Sequence, residues 1–152
     1  MSHREPLARE NHVIGRLIVR SVAAGLAISV IVLMLIAVRL EPNPAGLGTH
    51  QQLGLPPCTM RVVFQMRCPA CGMTTAWAHF VRGEWPSSVR VNLGGFLLAI
   101  YCLGGVYLCG RIGLTGVLPP ESTQKTAGIA ILAIAMITVL EWAGRVIVER
   151  LL

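Results

Sequence analysis

Charge is scarce in this sequence, and the scarcity already excludes whole classes of protein. Charged residues fill 13% of the 152 positions, where a soluble globular chain carries about 25%. Disordered segments, collagen-like repeats and nucleic-acid-binding arms each need a polar or periodic composition that is absent. Only seven residues are acidic, so the paired carboxylates of acid-base catalysis are hard to assemble. Aromatics are few at 5%, and no basic stripe interleaves them in the way that nucleic-acid binding uses. Apolar residues fill the sequence instead, at 54%. A bilayer is the solvent that suits such a chain.

The apolar residues gather in three stretches. Ser21 to Val38 is uncharged and bracketed by Arg20 and Arg39; its core is too long for a cleaved signal peptide and no A-x-A-like site follows, so it reads as an uncleaved spanning anchor. Leu93 to Gly110 is again uncharged, and apolar character continues past Arg111 to Leu118. The third stretch runs from Thr126 to Leu140, with helical character continuing towards Val148. The expected fold is an all-α integral membrane protein. A polar N-terminal tail (1–20) precedes a first transmembrane helix (21–40), a cysteine-containing loop (41–92), a second helix (93–118), a short loop (119–125) and a third helix (126–148). Small residues such as Gly25, Ala27, Gly104, Gly105 and Ala133 allow close helix approach. Glu141 and Arg145, at i,i+4 spacing near the chain end, are expected to snorkel to the interface or to pair on one face.

The net charge of +6 needs no nucleic-acid partner. Twelve of the thirteen basic residues are Arg, spread along segments that flank the membrane and meet anionic head groups. With the N-terminus inside, the two faces carry nearly equal basic charge, and only the cluster before the first span favours that orientation. The bilayer is thus the partner read from the sequence, together with other membrane proteins. A bacterial inner membrane is the expected location.

The loop between the first two spans holds the chemistry. It opens with the turn residues Glu41-Pro42-Asn43-Pro44-Ala45-Gly46 and continues through Thr49-His50, Gly54 and Pro56-Pro57 to Cys58. An apolar run from Met60 to Met66 leads into Cys68-Pro69-Ala70-Cys71-Gly72-Met73-Thr74. A short helix is expected over Ala76 to Arg82, ended by Gly83. Trp77, Phe80 and Trp85 are residues of the headgroup level, so the loop is expected to be partly helical and to lie on the membrane surface.

Pro69 suits the first position of a helix, which predicts that Cys68 caps it and that both sulfurs meet a positive helix end. A C-x-x-C pair so placed serves thiol-disulfide exchange or metal ligation. C-P-x-C-G also resembles one knuckle of zinc ribbons and rubredoxins. A Cys3His set for zinc is available from Cys58, Cys68 and Cys71 with either His79 or His50. Alternatively the three cysteines are small buried hydrophobes or form one structural disulfide. Gly72 stands where a c-type haem site needs His, which excludes that cofactor. Cys102 and Cys109 share a face of the second span and read as packing, and His3 and His12 as solvated. Asn92 caps the second span or hydrogen-bonds into the loop.

The pattern Cys58…Cys68-Pro69-Ala70-Cys71-Gly72-Met73-Thr74, followed by Gly83 and Asn92, resembles a bacterial family of small multi-pass membrane proteins, domain of unknown function 2752. The resemblance spans Thr49 to Leu98 and adds His50 to these motif residues. It implies a membrane location and a cysteine-centred motif, and supplies no activity. The family pattern has Arg where this chain has Thr75 and Pro where it has Leu93. If that Arg binds an anion, its role is absent here or has passed to Arg67 or Arg82.

The expectation is a non-enzymatic membrane protein whose loop is organised by Cys58, Cys68 and Cys71, around zinc or structurally, as an accessory of a larger assembly. The rival is a membrane-associated thiol-disulfide oxidoreductase using Cys68 and Cys71. A transporter reading is weak, because three spans with no central charge offer little to line a path.

Overall fold

A computed structural model of the chain describes the backbone of residues 4–151 and the side chains of residues 13–151. His3 and the side chain of His12 lie outside the described residues. All regular structure among the described residues is helical: α1 (Arg4–Arg39), a 3₁₀ turn (Thr49–Leu53), α2 (Thr59–Phe64), α3 (Met73–Val81), α4 (Trp85–Val91), α5 (Leu93–Thr115) and α6 (Glu121–Leu151). Val13–Arg39 of α1, α5 and α6 are long and apolar enough to cross a membrane. The chain is an integral membrane protein with three candidate spans and shorter helices between the first and second.

The first helix begins at Arg4, so the residues read as a polar tail from position 4 onward extend it. It ends where Glu41-Pro42-Asn43-Pro44 removes helical donors, and the Asn43 side chain closes the turn by accepting from Ala45 N at 2.9 Å. The second span is stopped by Gly116, whose φ of 69° completes a left-handed C-cap on Ile112 O. The third starts directly after Pro119-Pro120, at Glu121.

Helix α5 is the hub. It packs on α1, α3, α4 and α6, whereas among the described residues the backbone of α6 comes close to that of α5 alone of the helices. Neighbouring spans are antiparallel: Arg20 of α1 donates to Gly113 O near the end of α5 (2.8 Å), and Tyr101 of α5 donates to Ala127 O near the start of α6 (3.2 Å). Large apolar side chains are mostly exposed, from Leu17 and Ile28 on α1 to Leu132 and Leu140 on α6. In lipid such exposure carries no penalty, and the interior is built from small residues such as Ala23, Ala37, Ala76, Ala78 and Ala99. Gly94 marks the tightest approach: a Cβ there would lie 2.8 Å from Thr138 Cβ and overlap its hydroxyl.

The structure gives two sets of side chains singled out in the sequence partners within the protein. Trp77 and Phe80 are packing residues: the Trp77 indole donates to Gly95 O at 2.9 Å, and Phe80 meets Phe96 edge to face at 5.6 Å. Both rings bind α3 to α5, and of the three aromatics only Trp85 is strongly exposed. Of the two alternatives for Glu141 and Arg145, pairing on one face is the one found. The chain breaks between α4 and α5 at Asn92, leaving the carbonyls of one helix end and the amides of the next helix start without partners. Glu141 accepts from Leu93 N (3.1 and 3.3 Å), while Arg145 donates to Val91 O (2.8 Å), Arg90 O (3.0 Å) and Glu141 itself. The i,i+4 pair thus answers both kinds of orphan group at once, negative at the helix start and positive at the helix end.

Candidate metal centre

The loop is fixed by buried polar side chains. Thr49 and Thr75 are fully buried and share a hydrogen bond of 2.7 Å between hydroxyls, and Thr49 also accepts from Asn43 N at 3.1 Å. Ser88, equally buried, donates to Ala76 O at 2.7 Å and joins α4 to α3. The Arg82 guanidinium donates to Ala78 O (2.7 Å), Val38 O (3.1 Å) and Ala37 O (3.4 Å), so it covers the C-terminal carbonyls of α1. Every buried side-chain nitrogen or oxygen among the described residues has a partner. Such a network places its backbone closely, because each unmet group would cost about 1–3 kcal/mol.

The C-x-x-C pair sits in a tight turn, which corrects its expected place on a helix. Cys71 N donates to Cys68 O at 3.0 Å, and Met73 N to Ala70 O at 3.1 Å. Helix α3 begins only at Met73, capped by Gly72 at φ 86°. A Cβ at Gly72 would lie 2.9 Å from both Gly46 O and Val91 Cγ1, so position 72 is restricted by conformation and by space. Pro69 turns the chain without starting a helix, and its carbonyl and that of Cys71 both accept from Asn92 Nδ2, at 3.3 and 3.1 Å. The Asn92 Oδ1 accepts from Gly95 N at 2.6 Å. The two roles considered for Asn92 are filled together: one end of its amide caps α5 and the other holds the cysteine turn.

Cys58, just before α2, turns its sulfur to this pair. The Sγ atoms of Cys58, Cys68 and Cys71 all lie within 4.8 Å of one another, with Cys68 and Cys71 at 3.1 Å. Cys68 N donates to Cys71 Sγ at 3.2 Å. None of the chain's five cysteines is disulfide-bonded. Above the sulfurs opens a cavity of about 250 Å³, whose wall includes His50, Gln51, Arg61, Thr74 and Thr75. This three-sulfur group is of a kind that can hold a metal ion.

Electrostatics favours a cation here. Burial pushes the Cys68 thiol up, and the thiols of Cys71 and Cys58 add to the push, to about 12. At Cys58 burial also acts upward, but the backbone of Arg61 and the thiols of Cys68 and Cys71 outweigh it, so this thiol is lowered. Cys58 therefore ionises more easily than Cys68, which resists ionising beside it. A bound divalent cation removes that conflict, since all three can ligate as thiolates.

Neither histidine candidate has its ring nitrogens within the three-sulfur group, and the two differ in where they lie. His50 lines the cavity, and its Nε2 meets Pro56 O at 3.2 Å. His79 does not join the sulfurs: its Nδ1 meets the Glu84 carboxylate at 2.5 Å at the end of α3. Gly83, at φ 76°, makes the turn that brings Glu84 back to it. Thr74 lines the cavity without donating to a sulfur. Cys102 and Cys109 lie on α5, half-buried and apart from the three-sulfur group.

Sequence reasoning missed Trp142, which donates to Arg67 O at 2.5 Å, next to Cys68. It missed Glu141 and Arg145 as holders of the junction at Asn92. The one available signal was an ionisable pair inside an apolar helix, which calls for a partner. Both departures from the family pattern are used structurally. Thr75 supplies the buried bond to Thr49, and Leu93 retains an N–H that Glu141 accepts. Arg67 pairs with Glu149 at 2.6 Å, so it and Arg82 are both bound within the protein.

No curated protein and no solved structure matches this chain. The cysteine turn, Asn92 and the first half of α5 fall together in one stretch that a family matches: residues 58–106 match DUF2752, described as "Protein of unknown function".

Proposed function

We propose that this chain is a zinc-binding membrane protein without catalytic activity of its own. Zinc is held by Cys58, Cys68 and Cys71, with His50 as the fourth donor. The observation that carries this reading is the mutual approach of three sulfurs within 4.8 Å in a loop otherwise fixed by hydrogen bonds. Tetrahedral zinc at about 2.3 Å from each sulfur needs sulfurs about 3.8 Å apart, so Cys68 and Cys71 separate slightly on binding. Three soft sulfurs and an imidazole suit zinc better than calcium or magnesium, which take oxygen. When bound, the metal supplies a cross-link between the turn at 68–71 and the start of α2.

The carboxylates of the loop support a structural role. Glu84 is committed to His79, and neither Glu41 nor Glu84 lines the cavity above the sulfurs. A closed zinc site on a small membrane unit fits an accessory of a larger assembly in a bacterial inner membrane. Metal analysis of the protein purified in mild detergent tests this reading. One zinc per chain is expected, with Cys58, Cys68 and Cys71 protected from alkylation until a chelator is added. A metal-free protein with all three thiols freely alkylated would end it.

The rival reading, thiol-disulfide exchange by Cys68 and Cys71, draws on their 3.1 Å approach. A Cys68 thiol pushed up to about 12 is a poor attacking group, whereas a bound cation would offset the charge that keeps it protonated. Cys71→Ser distinguishes the two: a redox protein accumulates a mixed disulfide at Cys68, and a zinc protein loses zinc. Reporter fusions in the loop add the compartment, since an oxidising side favours disulfides.

A further inference from the structure

We infer that the third span belongs to the metal centre: Trp142, Glu141 and Arg145 of α6 are positioning residues that hold the Cys68–Cys71 turn in its ligating shape. The inference rests on the zinc reading and extends it to a part of the chain outside residues 58–106. Two routes lead from α6 to the sulfurs. The short one is the Trp142 indole on Arg67 O, one residue before Cys68. The longer one passes through Glu141 on Leu93 N and Arg145 on Val91 O, which fix the junction on either side of Asn92. Asn92 then holds the carbonyls of Pro69 and Cys71. The Arg67–Glu149 pair adds a third tie between the same segments.

The turn is thus gripped before it and across it by groups anchored in one membrane helix. Groups that orient metal ligands from behind typically change affinity about 10–100-fold when removed. These act through backbone one step further out, so the lower end of that range applies. Coupling of this kind is reciprocal: if docking of α6 favours zinc, zinc favours docking of α6 to the same degree. Residues 138–149 of α6 are therefore where the state of the loop is felt inside the membrane.

The test uses the full chain in detergent and zinc alone as ligand, with affinity read by competition against a chromophoric chelator. Trp142→Phe keeps an aromatic ring and loses the donor, and Arg145→Lys keeps the charge and loses the bridge between two carbonyls. Each is expected to weaken zinc about tenfold and to shift the visible bands of the cobalt-substituted protein, a signature that general destabilisation does not produce. Tyr101→Phe, which loosens α6 at its other end, is expected to leave both unchanged. In the unmutated chain, zinc is expected to slow amide exchange across residues 138–149. Wild-type zinc binding with unchanged affinity in both variants, or with exchange in α6 indifferent to zinc, overturns the inference while sparing the metal reading. A wild-type chain that binds no zinc overturns both.

Discussion

At the cysteine-bearing end of the molecule, α6 is joined to the rest of the chain by Trp142, by Glu141 and Arg145, and by the Arg67–Glu149 pair. At the opposite end, one hydrogen bond from Tyr101 to Ala127 O links it to α5, and a cavity of about 510 Å³ opens between the two helices. The same contrast runs along α5. Gly94 is pressed against Thr138, whereas Gly104 and Gly105 have nothing within 4 Å of where a Cβ would be. In a bilayer apolar contact does little to favour one helix arrangement, because lipid is as apolar as leucine. Polar bonds and close backbone packing must then supply the order, and here both are concentrated where the sulfurs are. The ordered end is a site; the open end is a pair of helices with lipid-facing surface between them.

That contrast can be broken in several ways, and the largest effect is expected at the sulfurs. Cys58→Ser, Cys68→Ser and Cys71→Ser should each reduce zinc retention by orders of magnitude, and the loop should become protease-sensitive. Cys102→Ser and Cys109→Ser should retain zinc fully, as metal analysis of the five variants will show. Acid should act next most strongly. With Cys68 pushed up to about 12 the thiol is protonated near neutrality, so zinc displaces protons and affinity falls as pH falls. If about two protons leave, apparent affinity drops roughly a hundredfold per pH unit below neutrality, measurable by competition at several pH values.

Asn92→Ala removes a helix cap and two bonds to the turn. A loss of about 2–4 kcal/mol is expected from the cap and the hydrogen bonds together, read from denaturation in detergent. Asn92→Asp keeps the cap and loses the donors, so it should recover only the smaller share. Gly94→Ala should cost about 1–3 kcal/mol through overpacking, and Gly104→Ala should be within about 0.5 kcal/mol of the parent. Tyr101→Phe is the mildest, at about 1 kcal/mol or less.

The sequence makes one half of this contrast legible. Hydropathy marks three spans, turn residues mark where α1 stops, and Cys68-Pro69-Ala70-Cys71-Gly72 with Cys58 marks the place where chemistry gathers. These signals are local, and local physics decides them. The partners of the site are not local. Trp142 lies 75 residues from the carbonyl it binds, and Glu141 lies 48 from the amide it accepts. Nothing in the spacing of α6 says which backbone its indole will meet. His79 could be drawn into a ligand set on paper because its bond to Glu84 depends on the turn at Gly83. Trp77 and Phe80 have the composition of interfacial anchors, and only the way α3 lies on α5 turns them inward. Helix α3 starts three residues before Ala76, at Met73, and four after Pro69, because Gly72 is the residue that adopts the left-handed cap.

The central claim is that three cysteines of one loop hold zinc, and the zinc X-ray absorption spectrum of the purified chain measures that directly. A shell of three sulfurs at about 2.3 Å with one lighter donor at about 2.0–2.1 Å is expected, lost in Cys71→Ser. A shell of nitrogen and oxygen alone, or zinc that washes away from the unmutated chain, would contradict it.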